Sequence, residues 1–262
     1  MKRLAQVRNP VEAIVLLLVV FVFGASAQDP QMKASGRDTR NASEPARRAM
    51  YSRAFVVDDR LSALRREPSL HSEVVRRLRL GHSVYRIRGR GEEAGRFCRI
   101  AVSRRTRGWI YESALVVQGR AGEDQRIMKL IDSNADTFDR ITLCRILIEH
   151  FAGSRLVPRA LLLIGEEAER AAPTLGQRAR KRLAEPGGGD SSIGLRDYYL
   201  NDSGLDRFSK LGVGFQFGES AAEYVYDGKA YREIVKRFPQ SEEAALARNR
   251  LELARQRLAR RE

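Results

Sequence analysis

The sequence predicts two structural classes in series, all-β and then all-α: a small β-barrel followed by an irregular domain of helical hairpins. Three observations predict this. Residues 54–118 hold short apolar runs punctuated by Gly and Pro, one of them with strict period-two alternation. Residues 119–262 carry apolar stripes at i, i+3, i+4 and i+7. Within those stripes, residues 147–154 and 234–241 read as copies of one another.

The first 27 residues predict a signal sequence. Lys2, Arg3 and Arg8 form a charged start, Ala13 to Phe23 is an uninterrupted apolar run, and Ala25-Ser26-Ala27 offers small residues for cleavage. That run is short for a bilayer span, which needs ~20 residues. Cleavage is therefore expected, leaving the membrane as a partner only through an uncleaved signal. The protein is expected to be exported, either periplasmic or secreted. Residues 28–53 contain Pro30, Gly36 and Pro45, six basic groups and almost no large apolar side chain, a composition that predicts a flexible leader.

The β part, residues 54–118, follows in order. Phe55-Val56-Val57 opens a strand and Asp58-Asp59 turns it. Glu67-Pro68-Ser69 makes a turn, because Pro fixes φ and removes a ladder donor. Val84-Tyr85-Arg86-Ile87-Arg88 alternates apolar and charged, as a half-buried strand does. Phe97 to Val102 is a strand with Arg99 on one side. Ser103 to Arg107 is a basic hairpin tip, Gly108 to Tyr111 the next strand, and Ala114 to Val117 closes the unit.

Four landmarks in this part resemble those of bacterial SH3 (SH3b) domains: Leu61 through Pro68-Ser69, Glu73-Val74-Val75 with Leu78, Gly81-His82-Ser83-Val84, and Arg107-Gly108-Trp109-Ile110. The resemblance covers about a quarter of the chain. It implies a binding module rather than a catalyst, with Trp109 in the barrel core or at its edge. We expect Trp109 in the core.

The α part, residues 119–262, has stripes at Ile127, Leu130 and Ile131; at Ile141, Cys144, Ile148 and Phe151; and at Leu161, Ile164 and Ala168. The pattern breaks over 185–218, where Pro186-Gly187-Gly188-Gly189 reads as a linker and aromatic residues recur without a period. Tyr231, Ile234, Val235 and Phe238 restore it, and Ala244 to Leu258 finishes in an amphipathic helix. In the repeated segment Phe151 and Phe238 each end a helix, Ser154 and Ser241 are expected to cap the next by accepting from its free N–H groups, and Ala160 and Ala247 let the paired helices approach. This pattern resembles tetratricopeptide-like helical hairpins of bacterial envelope proteins. The two copies stand 87 residues apart, unlike a tandem array with a period of ~34 residues.

Catalytic constellations are absent from the sequence. The three His, at positions 71, 82 and 150, are scattered. Cys98 and Cys144 read as two separate buried thiols, and no P-loop, G-x-S-x-G or H-E-x-x-H occurs. Glu166, Glu167 and Glu169 read as a solvated helix face. No metal, cofactor or enzymatic activity is expected.

Charge carries more information. The chain bears +15, and of its 48 basic residues 41 are Arg. Residues 54–118 hold a net +7 in 65 residues, against +3 in the 144 residues after them. Nucleic acid, the usual partner of a basic protein, is not expected outside the cytoplasm. The expected ligand of the barrel is an anionic wall polymer or a peptide, held by Arg86, Arg88, Arg104, Arg105, Arg107 and Trp109, with the Arg-rich face mattering more than the tryptophan. The helical part is expected to bind a protein partner. The alternative expectation is a cell-wall hydrolase or its accessory subunit, because SH3b domains often accompany wall-cutting domains; Cys144 with His150 would be its candidate pair.

Overall fold

In the computed structural model the described residues are 50–89, 91, 93–184, 203–218 and 223–259. The predicted signal sequence, the leader as far as Ala49 and the Gly-rich linker lie outside them. Eight strands come first: β1 (Tyr51–Val56), β2 (Ala63–Arg65), β3 (Val74–Arg77), β4 (Ser83–Ile87), β5 (Glu93–Ala94), β6 (Phe97–Ala101), β7 (Arg107–Tyr111) and β8 (Leu115–Val117). Strand β1 begins three residues inside the stretch read as leader, because Tyr51, Ser52 and Arg53 complete its pairing with β4.

The strands form one antiparallel sheet in the order β3-β2-β7-β6-β4-β1-β8, with β5 paired to β6. They do not close into the expected barrel; β3 and β8 remain as edges. The physical reason lies at β8. Helix α1 (Glu123–Ser133) packs beside it. Arg126 of that helix donates to the carbonyls of Leu115, at 2.6 Å, and Ser113. The helix covers the edge that closure would need.

The sheet curls around a core of Ala54, Val56, Leu64, Leu78, Val84, Cys98, Ile100, Ile110, Leu115 and Val117. Phe55, Val57 and Val116 point the other way and join the helical core. Period-two alternation thus buries both faces of β1 and β8, one in each core. The result is a mixed α and β body in which the two classes share apolar contacts. The Phe55 ring stacks on His150 at 3.9 Å, with planes 10° apart. Burial lowers the His150 pKa below its ordinary value, and nearby Arg53 adds to the effect against an opposing Glu149. The unfolded chain then binds a proton more readily than the folded one, so stability falls as pH drops through the ordinary histidine pKa of about 6.5. We expect His150→Phe to keep the stack and flatten that part of the unfolding free energy measured between about pH 5 and 7.

Among the described residues five further helices follow: α2 (Thr137–His150), α3 (Val157–Ala184), α4 (Ser203–Lys210), α5 (Lys229–Arg237) and α6 (Glu242–Ala259). Asp136 caps α2 by accepting from the Asp139 amide. Helix α3 is central: it packs against α2, α5, α6 and strand β10 (Glu223–Tyr226), which pairs with β9 (Phe215–Gly218). The described part of the irregular region is therefore folded onto the helices. Phe208 of α4 lies 4.5 Å from Phe138 and 5.2 Å from Phe215, ring centre to ring centre. The Tyr198-Tyr199 pair lies outside the described residues.

The repeated segments adopt the same backbone. In the first, the amides of Phe151, Ser154 and Val157 donate to the carbonyls of Leu147, Phe151 and Ser154; in the second, those of Phe238, Ser241 and Ala244 donate to Ile234, Phe238 and Ser241. Ala160 and Ala247 are fully buried. The expected side-chain caps differ from this. The Ser241 hydroxyl is buried without a hydrogen-bond partner, and Ser154 accepts from Leu156, outside the helix, while donating to Asp124. Ser241 acts through its carbonyl, whereas Ser154 uses both its carbonyl and its hydroxyl at the helix entrance.

Two features of α3 were not expected. Gly165 faces the Tyr231 ring so closely that a Cβ would stand 2.3 Å from it. Close packing there offsets the cost of about 1 kcal/mol that Gly carries relative to Ala in a helix. Glu167, read from sequence as solvated, is 1% exposed. Its carboxylate accepts from Thr137 at 3.1 Å and Arg170 at 2.8 Å, and the Arg140 guanidinium stands 3.1 Å away. Glu169 pairs across to Arg250 of α6. Among the described residues no helix is long and apolar enough to cross a membrane.

Candidate functional site: an arginine and aromatic face of the sheet

Alternation along β6 and β7 sends Cys98, Ile100, Gly108 and Ile110 into the sheet core, and Arg99, Arg107 and Trp109 to the opposite face. Cross-strand register builds two rows there. One runs Arg53–Tyr85–Ala101–Arg107 across β1, β4, β6 and β7. The other runs Arg99–Trp109–Arg65 across β6, β7 and β2. Adjacent strands lie ~4.8 Å apart and alternate residues on one strand ~6.8 Å apart, so cations and rings interleave at short intervals. Neither row contains a carboxylate. The helices cover this side of β1 at Phe55 but leave Tyr85 half exposed and Arg53 and Arg107 exposed.

Local bonds hold the pieces. Arg65 donates to the Ser72 carbonyl at 2.8 Å, and Arg53 to the Ser83 hydroxyl at 3.2 Å. At the β6–β7 tip the Ser103 hydroxyl accepts from the amides of Arg105 and Thr106, leaving the Arg104 and Arg105 side chains exposed. Gly108 permits the closest approach: a Cβ there would stand 2.5 Å from the Arg65 carbonyl oxygen. This gives the Gly-Trp dipeptide a structural reason, because Gly lets β2 reach β7 and bring Arg65 beside Trp109.

The six residues singled out in the sequence divide. Arg104, Arg105 and Arg107 are exposed near this face. Arg88 is exposed beyond the end of β4, where its amide bonds the Met50 carbonyl. Trp109 is half-buried on the outer face and not in the core, because its neighbours Gly108 and Ile110 take the inward parity. Arg86 is turned inward. It shares the parity of Val84, its side chain is 10% exposed, and it pairs with Glu93 at 2.5 Å and Glu112 at 3.1 Å. It is not placed to meet a ligand on the outer face. Sequence reading missed Arg53, Arg65, Arg99 and Tyr85; the period of two around Cys98-Arg99-Ile100 was the available signal for Arg99.

Arg86 begins a chain of alternating charge that continues through Glu112, Arg120, Glu123 and Arg126. The hydrogen bond from Arg120, reinforced by the positive charge of Arg86, holds the Glu112 carboxyl below its ordinary pKa. An open groove of about 840 Å³ runs along this chain. Its charges neutralise one another.

The cysteines stand in different cores and are both free. Burial pushes the Cys98 thiol up to about 11 and the Cys144 thiol to about 12. Cys144 is 1% exposed on α2, and His150 of the same helix stacks on Phe55. The two are not brought together in a cleft as a nucleophile and base would be. Among the described residues no group of three or more His, Cys, Asp or Glu could hold a metal ion.

Comparison with known protein families, curated proteins and solved structures gives no match for this chain, so the outer sheet face is characterised by its own residues.

Proposed function

We propose that the protein is an exported, non-enzymatic binding protein of the bacterial cell envelope, with the sheet holding an anionic wall polymer and the helical half a protein partner. In this reading the sheet is an open relative of the SH3b barrel, and the two matching turns belong to tetratricopeptide-like hairpins. The observation that carries it is the face built from Arg53, Tyr85, Arg99, Arg107, Trp109 and Arg65. Guanidinium groups match carboxylates and phosphates bidentately, and aromatic faces pack against sugar rings or other flat groups. The rows are broad and lack carboxylates, which suits a repeating anionic chain better than a single small ligand. A cleft of about 380 Å³ with Ile148, Leu161 and Ile164 in its lining lies among α2, α3 and α5; it is the helical surface offered for a partner.

Sedimentation of the chain lacking residues 1–27 with purified wall sacculi tests the polymer reading. We expect binding that weakens as salt rises, because a Debye length of about 10 Å at 0.1 M contracts to about 3 Å at 1 M. The triple charge reversal of Arg104, Arg105 and Arg107 to Glu should lower retention by about tenfold at low salt. Trp109→Ala should remove the fraction that survives high salt, worth about 1 kcal/mol for one aromatic contact. Absence from the pellet at every salt concentration would rule the reading out.

A further inference from the structure

We infer that the outer edge of strand β3 is a second docking site, taking by strand addition an extended peptide in which adjacent acidic residues are followed by adjacent aliphatic ones. It adjoins the polymer face, since Val74 pairs with Arg65 and so continues the row Arg99–Trp109–Arg65, but its test reads peptide binding and does not depend on that reading. Among the described residues strand β3 pairs only with β2, and all four of its residues are exposed. At its two ends the ladder is bonded inward: the Arg66 amide donates to the Glu73 carbonyl, and the Leu78 amide to the Ser62 carbonyl. In an antiparallel ladder successive residues turn their amides alternately toward and away from the partner strand. Leu78 faces β2, so the amide and carbonyl of Arg77 face outward. The register also breaks beside Leu64: Arg76 pairs with Leu64 and Val74 with Arg65, leaving Val75 as the extra residue of a bulge. This edge therefore presents backbone groups to an incoming strand.

The side chains specify that strand. Leu70, Val74 and Val75 are 56%, 38% and 43% exposed and form the apolar component. Arg76 and Arg77 on the strand and Arg79 just after it, all exposed, form the cationic component. A second copy of the chain is a poor occupant, since pairing β3 with itself would gather four Arg side chains on one short ladder with no carboxylate on either four-residue strand. The chain's own leader is also poor, since residues 28–49 hold five basic and three acidic residues and no apolar run. Arg76 and Arg77 lie opposite Leu64 and Ala63 and so project to opposite faces; a strand that sets adjacent acids against them and adjacent aliphatic groups against Val74 and Val75 satisfies both components, and backbone hydrogen bonds fix its register.

The test uses fluorescence anisotropy on the chain lacking residues 1–27, with a labelled eight-residue peptide carrying Glu-Glu-Val-Val flanked by Thr as the probe. A second peptide is N-methylated at alternate positions, which removes its donors, and a third carries Lys for Glu. We expect the parent to bind, and N-methylation and Lys substitution each to weaken binding by about tenfold or more. Arg77→Pro removes the outward amide without touching the inward ladder and should cause a similar loss. The double variant Arg76→Glu, Arg77→Glu, exposed at both positions and free of backbone effects, should reverse the preference to the Lys peptide. No binding of the parent, equal binding of the N-methylated peptide, or an unaltered preference in the double variant would each overturn the inference. So would dimerisation of the chain abolished by Arg77→Pro.

Discussion

Replacing Glu167 by Ala should lower the unfolding free energy by about 3–5 kcal/mol, the range found when one partner of a buried ion pair is removed. Glu167 is almost fully enclosed on α3, and its oxygens meet Thr137, Arg140 and Arg170. Arg140 is the vulnerable partner, with a side chain only 18% exposed. Without Glu167 a cation remains in a largely dry site with no counter-ion. Arg170 is 64% exposed and can turn to water, so it contributes little to the loss. Glu167→Gln keeps the shape and the Thr137 contact and should cost less than Ala. A double variant, Glu167→Leu with Arg140→Leu, removes both charges and should recover much of the stability, since apolar groups often replace buried ion pairs without loss. Urea unfolding of the four proteins, read by circular dichroism, measures this. A loss below about 1 kcal/mol for Glu167→Ala would mean that the cluster is solvated and that its enclosure does not matter.

The same residue shows where sequence reading stops. Glu167 adjoins Ala168 on the inward stripe of α3, but three acids in four positions have the composition of a wet face. Only Arg140 and Thr137, nearly thirty residues earlier on another helix, make its burial tolerable. Arg86 repeats the lesson on the sheet. Its alternation with Tyr85 was legible, yet which parity faced inward depended on Glu112, a remote partner. Trp109 was misplaced for a related reason. A large aromatic beside Gly suggests a core, but parity is set by Ile110, and helices rather than Trp109 fill the space around β1. What was legible was local. The turn after Phe151 and the turn after Phe238 share their hydrogen bonds because each is specified within a few residues. The concentration of Arg in the strand-rich part was legible by counting, and it survives as an exposed face. Open edges were not legible, since the cover on β8 comes from Arg126 of a helix that follows the sheet.

Gly108→Ala should cost about 1–3 kcal/mol, typical of overpacking, and should weaken polymer retention more than its distance from solvent suggests. The added methyl would lie 2.5 Å from the Arg65 carbonyl oxygen and 2.9 Å from Cγ of Leu64. Leu64 is wholly buried, and the carbonyl belongs to the backbone of β2, so neither can swing aside as a flexible side-chain tip would. Relief requires β2 to move away from β7. Arg65 and Trp109 are the register pair at that point, so the movement parts the second row of the outer face. Stability and binding should therefore fall together at this position, whereas Trp109→Ala should lower binding with a smaller loss of stability because the ring is only half-buried. Measuring both properties on both variants distinguishes the effects. A Gly108→Ala protein within about 0.5 kcal/mol of the parent and with unchanged retention would show that β2 does not approach β7 this closely. If retention falls without loss of stability, β2 has shifted at little cost, and the Arg65–Trp109 spacing alone governs the contact.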